Sequence, residues 1–568
     1  MKRYILDIEA DNLLNTVTTI HCVVLVDVDT YEVWEFYEDT LKDSIPLMEK
    51  ADQLIGHNLI GYDMPVLKKL WGFEFKGDIL DTLVCSRTIW PNLMELDSKR
   101  KKIPTKLWGS HSLKAWGQRL GNNKGDYGEQ ETAWDHFSQD MLTYCVQDTF
   151  VTRDLYMLIS GKAFSSDAIE LEHNMATQLF NQEQRGFEFD VSKAESLFST
   201  LAQRKQEIED ELIATFEPTI VELKTKTKVI PFNPASRQQI ADRLMKRGWK
   251  PADFTPSGEP KVDETVLQGI EMPEAKLLCE FLMLAKRLGQ LATGKQGWLK
   301  LVQDGKIHGR VNHMGAVTSR CTHSNPNTGQ VPSLSAPYGR ECRELFTVPE
   351  GYSLLGADAS GLELRCLAHY TALYDNGAYG KEILEGDIHT ANQNAAGLES
   401  RPQAKTFIYG FLYGAGDAKI GSIIGKGAKE GKKIKKKFLD RTPALKKLRE
   451  AVNKAAERGW IKGLDGRRIP VRHSHAALNT LLQSCGSILC KRWYIRITEL
   501  LQEHGYTEEE VAIVAFVHDE VQVQVKKGIE EKVGDLIVKA MHDTEKYYNF
   551  RCPLDAEYNY GNNWADTH

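Results

Sequence analysis

Carboxylates recur along this chain at spacings that could hold metal ions. In Tyr4-Ile-Leu-Asp7-Ile8-Glu9 the two-residue period of a strand sets Asp7 and Glu9 on one face, roughly 6.6 Å apart, and Ile8 on the other. Two acids on an apolar strand are costly to bury unless a cation lies between them, although a strand end at the surface accounts for a lone pair equally well. His57-Asn58-Leu-Ile-Gly-Tyr62-Asp63 supplies a third carboxylate. Tyr144-Cys-Val-Gln-Asp148 supplies a fourth, with Tyr144 and Asp148 on one helical face. Four acids, a helical tyrosine and no lysine among them suit two divalent cations, which can activate a water and stabilise the leaving oxygen of a phosphodiester.

A second set lies in the C-terminal half. Ser353-Leu-Leu-Gly-Ala-Asp358 reads as a strand ending in an acid, followed by a helix from Leu362 to His369. Val511 to Val517 and Val521 to Val525 read as a hairpin whose tip, His518-Asp519-Glu520, carries two acids. Acids at a hairpin tip are ordinarily turn residues. If the two strands are neighbours, however, Asp358 and Asp519 converge at one end of a sheet, again a two-metal arrangement suited to phosphoryl transfer. Between them, Arg401, Lys405, Tyr409 and Tyr413 recur every four residues and line one stripe of a helix. Cations and rings on one stripe suit a ligand with an anionic end and a flat end, which describes a nucleoside triphosphate.

The elements that must position these groups change along the chain. Residues 1–160 read as α/β: strand-like runs at Tyr4 to Ile8, His21 to Val26 and Glu32 to Tyr37 precede helical patterns, the last around Phe137 to Tyr156. Residues 165–300 are helical, with long amphipathic stretches around 168–217 and 273–292, and Ser236 caps a helix that runs to Lys246 and is closed by Gly248. From about residue 300 short strands mix with helices. The 568 residues are 26% charged and 42% hydrophobic, which excludes a disordered or coiled-coil chain and allows several domains. No apolar run approaches the length of a membrane span, and the ten scattered cysteines read as reduced thiols of an intracellular protein.

A net charge of −6 argues against a nucleic-acid partner only until it is divided. Residues 1–150 carry 24 acids and 16 bases, whereas the remainder carries 54 acids and 56 bases. Within that remainder, residues 426–449 hold 11 bases and two acids, either a solvated helix face or a surface for a polyanion.

The order D-I-E at 7–9, N-x-x-x-Y-D at 58–63 and Y-x-x-x-D at 144–148 resembles the three motifs of the DEDDy-type 3′→5′ exonucleases. D-x-S-x-x-E-x-R at 358–365, R-x-x-x-K-x-x-x-Y-G at 401–410 and H-D-E at 518–520 resemble those of the family A DNA polymerases, in particular the replicative enzymes of short-tailed, T-odd-type bacteriophages. The resemblance implies an α/β and α+β multidomain chain: an RNase H-like 3′→5′ proofreading exonuclease at 1–165, then a right-hand polymerase. Its parts would be the thumb at 166–302, the palm at 303–375 and 471–568, and the fingers at 376–470. It implies that Asp7, Glu9, Asp63 and Asp148 bind two divalent cations, Mg²⁺ or Mn²⁺, and that Tyr144 positions the attacking water. Asp358 and Asp519, helped by the carbonyl of Ala359, would hold two Mg²⁺ ions. Arg401, Lys405 and His389 would contact the triphosphate, with Lys405 as proton donor to the leaving pyrophosphate and Tyr409 against base and sugar. Glu363 would exclude a ribose 2′-hydroxyl. Arg320, Gln483 and His518 would contact DNA.

The partners implied are primer-template DNA, dNTPs, a phage helicase-primase and a single-stranded DNA-binding protein, in the cytoplasm of an infected bacterium. Thioredoxin is not expected, because only about 15 residues, 217–231, occupy the place where the best-known phage member carries its thioredoxin-binding insertion. Two other readings are a dedicated exonuclease or DNA-binding protein with an inactive polymerase half, and a single-subunit RNA polymerase. The first would have lost the acids or the triphosphate stripe, and the second would lack Glu363 and the N-terminal carboxylates. In this family a tyrosine at the position of Tyr409 accompanies acceptance of chain-terminating dideoxynucleotides. Tyr409→Phe is therefore expected to raise discrimination against ddNTPs strongly, as read from the ratio of dideoxy to deoxy incorporation.

Overall fold

Alternating apolar residues in the first thirty positions build the N-terminal sheet. A computed structural model describes the whole chain except residues 124–126, 130–131 and 223–226. Strand β1 (Arg3–Ala10) lies at the centre of a five-stranded sheet of order β3-β2-β1-β4-β5, with β2 (Ile20–Asp27), β3 (Val33–Tyr37), β4 (Gln53–Gly56) and β5 (Asp78–Asp81). It pairs antiparallel with β2, setting Asp7 opposite Val24 and Glu9 opposite Cys22, and parallel with β4. Tyr4, Leu6 and Ile8 pack on one face against Val23, Leu54 and Leu59. Ile5 packs on the other with Val24, Val26 and the inner residues Met141, Leu142 and Cys145 of helix α2 (Gln139–Ser160). Asp7 and Glu9 thus share the face that α2 covers. Helix α1 (Asp63–Trp71) begins at the third carboxylate and stops at Gly72, whose φ of +66° a side chain would strain.

The chain parts into two compact units, one formed by residues 1–184, 311–322 and 355–559, the other by residues 185–310, 323–354 and 560–568. In the first, helix α3 (Ser166–Arg185) buries Glu172 completely. The ammonium of Lys491 donates to both Glu172 oxygens at 2.7 and 2.8 Å, the guanidinium of Arg467 donates at 2.7 Å, and His313 Nδ1 lies at 2.8 Å. Arg467 also grips Asp465 through Nε and Nη2, at 2.9 and 2.6 Å. Two acids face two bases, and burial pushes His313 down toward its neutral form.

The amphipathic stretch expected over 168–217 consists of two helices. Gly186 ends the first by adopting φ +70°, a position that also leaves no room for a Cβ beside the His308 ring, and a two-residue strand, Phe187–Glu188, precedes α4 (Val191–Thr215). The second unit contains α4, α5 (Arg237–Lys246) and α6 (Pro273–Leu288). Ser236 caps α5 by accepting from the Gln239 backbone N–H, and Gly248 follows its end at φ +98°. Phe187, Phe189, Trp298, Phe346 and Trp564 pack ring against ring at 5.3–6.2 Å. The short connection at 217–231 contains an antiparallel pair, Thr219–Glu222 with Thr227–Ile230, and its residues 223–226 lie outside the described ones.

Back in the first unit, a four-stranded sheet has the order β7-β8-β6-β9, from β6 (Tyr352–Ala359), β7 (Val511–Val517), β8 (Glu520–Lys526) and β9 (Ala556–Gly561). The strand that carries Asp358 is therefore the neighbour of β8, which begins directly after Asp519. Packed around them are α7 (Leu362–Asp375), α8 (Ile388–Ala396), α9 (Arg401–Leu412), α10 (Ala428–Arg441), α11 (Ala477–Glu503) and α12 (Glu530–Tyr547). One expectation for the hairpin tip is corrected. Only His518 and Asp519 form the turn; Glu520 is the first residue of β8, buried, and accepts from Gln522 Nε2 at 2.6 Å. Among the described residues no helix is long and apolar enough to cross a membrane.

Burial alone would raise the Glu172 pKa, but the Lys491 ammonium and the Arg467 guanidinium hold it well below the usual glutamate range. A depressed folded pKa gives stability that is present above the ordinary range and is lost as pH falls. Glu172→Ala leaves two buried cations without their shared acid and is expected to cost about 3–5 kcal/mol in denaturant unfolding at neutral pH, with a smaller difference in acid.

Candidate active sites

The N-terminal site is assembled on β1 and closed by α2. Ligand atoms of Asp7, Glu9 and Cys145 all lie within 4.8 Å of one another. Asp63 is brought to the same place by a hydrogen bond: its Oδ1 accepts from the backbone N–H of Ile8, the residue between the first two acids, at 3.2 Å. That bond follows from the loop before α1, which Asp81 braces by accepting from the N–H groups of Asn58 and Ile60 at 2.9 and 3.1 Å. Asp148 lies one turn beyond Cys145 on α2 and is buried. Tyr144 is held by ring contacts with Tyr127 at 5.7 Å and Trp134 at 6.1 Å. Burial drives Asp63 up to about 7 from an ordinary 3.8, against its hydrogen bonds and with a further push from Asp81. Burial also raises the Tyr62 hydroxyl, with Asp63, Glu9, Asp11 and Asp7 adding to it, which records how much negative charge is gathered here. Such a set of carboxylate oxygens fits divalent cations. Sequence reasoning missed Cys145, although its place three residues before Asp148 puts it on the inner face of the helix.

The second site lies where β6 ends beside the turn between β7 and β8. The backbone N–H of Ala359 donates to the carbonyl of Asp519 at 3.0 Å and so fixes Asp358 next to the turn. Asp358 is exposed, whereas Asp519 is mostly buried and its carboxyl is raised by burial and by Glu363. His518 makes the tight turn possible at φ +60°, an uncommon conformation for a side-chain residue. Arg320, Glu363, His518 and Asp519 line a cavity of about 310 Å³ together with Tyr413, Ser487 and Cys490. Gln483, half-buried on α11, flanks the lining residues Leu482 and Gly486 without lining the cavity itself.

The stripe on α9 extends from this cavity. Ser400 caps the helix with a reciprocal bond to Gln403, and Ala404, Phe407, Ile408 and Leu412 face the core, which turns Arg401 and Lys405 outward. The ring of Tyr409 lies 6.3 Å from that of His389, and burial raises its hydroxyl, with Glu363 and Asp519 adding to the effect. Burial lowers His389, and Arg401 and Lys405 lower it further, so its neutral form is favoured beside the cationic edge that Arg401 and Lys405 make on α9. The helix ends at Leu412, one residue before the last member of the stripe. Tyr413 turns back and donates to Glu363 Oε1 at 2.6 Å, with the Arg320 guanidinium 5.9 Å from its ring. Asp387 was not among the residues expected at the site; it accepts from Arg401 Nε at 2.8 Å while capping α8 through His389 and Thr390. An acid beside a predicted triphosphate ligand is explained by that cap.

The sequence pattern of DNA polymerase family A matches residues 199–566. The chain belongs to this family. The DNA-directed DNA polymerases of Enterobacteria phage T3 and Escherichia phage T7 are each 38% identical to this polymerase, covering 99% of its chain and 99% of theirs. Those alignments run over 704 positions against 568 residues here, so the phage relatives carry insertions that this polymerase lacks. The POL domain of Pol1 from M. smegmatis, in complex with DNA primer-template and dNTP, shares the fold, with a TM-score of 0.77 at 19% identity over 100% of this chain and 96% of that one. Polymerases of family A depend on divalent metal ions, and the two acidic clusters are fitted to take them.

A raised folded pKa means that Asp63 contributes stability below the ordinary carboxylate range and loses it as pH rises through about 7. In chelator, Asp63→Asn is expected to be more stable than wild type at pH 8 by about 1–3 kcal/mol, with the difference vanishing near pH 4, as measured by thermal melts across that range.

Proposed function

We propose that this family A DNA polymerase replicates a phage genome, extending a primer 3′ end with dNTPs on a DNA template and removing mispaired ends at its N-terminal site. The reading is carried by the backbone bond between Ala359 and Asp519, which sets Asp358 of β6 beside Asp519 of the β7–β8 turn, near the cations Arg401 and Lys405 of α9. Asp358, Asp519 and the Ala359 carbonyl would hold two Mg²⁺ ions, which when bound neutralise charge on the transferring phosphoryl group and ease deprotonation of the primer hydroxyl. Arg401, Lys405 and His389 grip the triphosphate, and Lys405 delivers a proton to the pyrophosphate as it leaves. Tyr409 packs against base and sugar. Glu363, held by the Tyr413 hydroxyl, stands where a ribose 2′-hydroxyl would need room. Arg320 and Gln483 contact the primer-template, and His518 the terminal primer phosphate.

At the N-terminal site, Asp7, Glu9, Asp63 and Asp148 hold two divalent cations, Mg²⁺ or Mn²⁺, and Tyr144 orients the attacking water. The domains run as exonuclease 1–165, thumb 166–302, palm 303–375, fingers 376–470 and palm 471–568. On α10, Gly431, Ile434 and Phe438 face the core while Lys429, Lys432, Lys433 and Lys436 face water, which offers cations to single-stranded template. A phage helicase-primase and a single-stranded DNA-binding protein are its partners in the cytoplasm of an infected bacterium. Thioredoxin is not a partner, given the short 217–231 connection.

A labelled primer-template separates the two sites. Asp519→Ala is expected to lose extension by about a hundredfold or more while still shortening the primer, and Asp148→Ala to extend it while losing degradation to a similar degree. Extension by Asp519→Ala at the wild-type rate, or degradation by Asp148→Ala, would remove the corresponding site.

A further inference from the structure

Cys145 is the one donor at the N-terminal site that the proposed chemistry leaves unused. Its Sγ lies 3.4 Å from Asp7 Oδ2 and 3.6 Å from the Asp7 carbonyl oxygen. With Glu9 these form the only group of three or more His, Cys, Asp or Glu side chains, among the described residues, drawn close enough to share an ion. Packing fixes the thiol in place: Cys145 is wholly buried in the apolar cluster that joins Met141 and Leu142 of α2 to Ile5 and Val24 of the sheet. It therefore cannot turn toward solvent without undocking the helix.

The spacing matches what one ion would require. Zinc-class cations bind thiolate sulfur at about 2.3 Å and carboxylate oxygen at about 2.0–2.2 Å, so a near-tetrahedral angle sets sulfur and oxygen about 3.5 Å apart. The separation here is 3.4 Å. A hard ion such as Mg²⁺ gains little from sulfur, whereas a softer one gains a strong bond.

We propose that Cys145 is a metal ligand of the exonuclease site, giving it a selective affinity for thiophilic divalent cations of the zinc class. Binding breaks the S–H bond, forms a bond from sulfur to the cation and releases the proton to solvent, with no change of oxidation state. The inference rests on the reading of Asp7 and Glu9 as ligands of the exonuclease metals. It adds a donor to that set which carboxylate chemistry does not need, and so separates the ion that supports primer degradation from ions held more tightly.

Cobalt(II) makes the bond visible, because a thiolate ligand produces a charge-transfer band in the near ultraviolet. The protein titrated with Co²⁺ is expected to show this band, to keep it in Cys22→Ala, whose thiol neighbours Cys145, and to lose it in both Cys145→Ser and Cys145→Ala. Calorimetric affinity for Zn²⁺ is expected to fall about tenfold or more in the Cys145 variants, with thermal melts confirming that they fold. Absence of the band in wild type, or its survival in both Cys145 variants, overturns the proposal. If the band is absent while Asp148→Ala still abolishes Mg²⁺-supported degradation, the thiol is no ligand and the exonuclease reading stands. A Cys145-dependent band in a protein whose degradation survives Asp148→Ala keeps the thiol site and removes the exonuclease reading instead.

Discussion

A glutamate sealed from water determines where the parts of the larger unit meet. Glu172 cannot be solvated, so every oxygen lone pair it presents must be met by protein, and the partners come from Lys491 on α11, Arg467 beyond a short strand and His313 in a loop. A buried network of this kind adds little net stability over apolar packing, but it tolerates only one geometry, because each misplaced partner strands a charge. The consequence travels along α11. One turn before Lys491, Ser487 donates to the carbonyl of Ser319 at 2.7 Å and thereby sets Arg320 at the wall of the polymerase cavity, while Cys490 lines the same wall. The residue after Glu172 does the reverse task. His173 Nδ1 donates to Ile169, leaving Nε2 to accept from the backbone of Asp81 at 2.8 Å, and Asp81 braces the loop that delivers Asp63. Two consecutive side chains on α3 therefore brace the two candidate sites.

Legibility in the sequence follows the range of the forces involved. Asp7 with Glu9, Tyr144 with Asp148 and the α9 stripe were readable because each depends on one period of one element. The Ser236 cap was readable for the same reason. Glu172 was not, since on an amphipathic helix it looks like any solvent-facing acid, and only the docking of α11 and Arg467 shows otherwise. The bond between Tyr413 and Glu363 spans 50 residues and depends on α9 ending one residue early. Cys145 passed as one of ten scattered thiols until the packing of α2 across β1 put it against Asp7. Glu520 was assigned to a turn on the strength of its type, whereas a two-residue connection leaves it inside the strand.

Net charge misled because it averages over places with opposite needs. Among the described residues, only Asp63, Asp81, Asp97 and Asp148 of the acids in the first 150 positions are buried, and the cations of α9 and α10 are mostly exposed on their own faces. A polyanion is met by local potential, and the sum over the surface says little about it.

The two acidic sites reach a similar electrostatic state by different means. At the N-terminal site, side-chain packing does the gathering: α2 presses on β1, and Asp63 is tied to a backbone amide between its partners. At the polymerase site the gathering is done by backbone, through one inter-strand bond from Ala359 to Asp519, and the side chains remain unequal, with Asp358 open to solvent and Asp519 largely enclosed. Asp358 lies open to solvent, whereas burial raises the carboxyls of Asp519 and Asp63, so keeping those two ionised costs more. On the proposed reading, a cation bound to the folded chain alone would offset the cost of those buried acids and so would couple metal binding to the integrity of both sites.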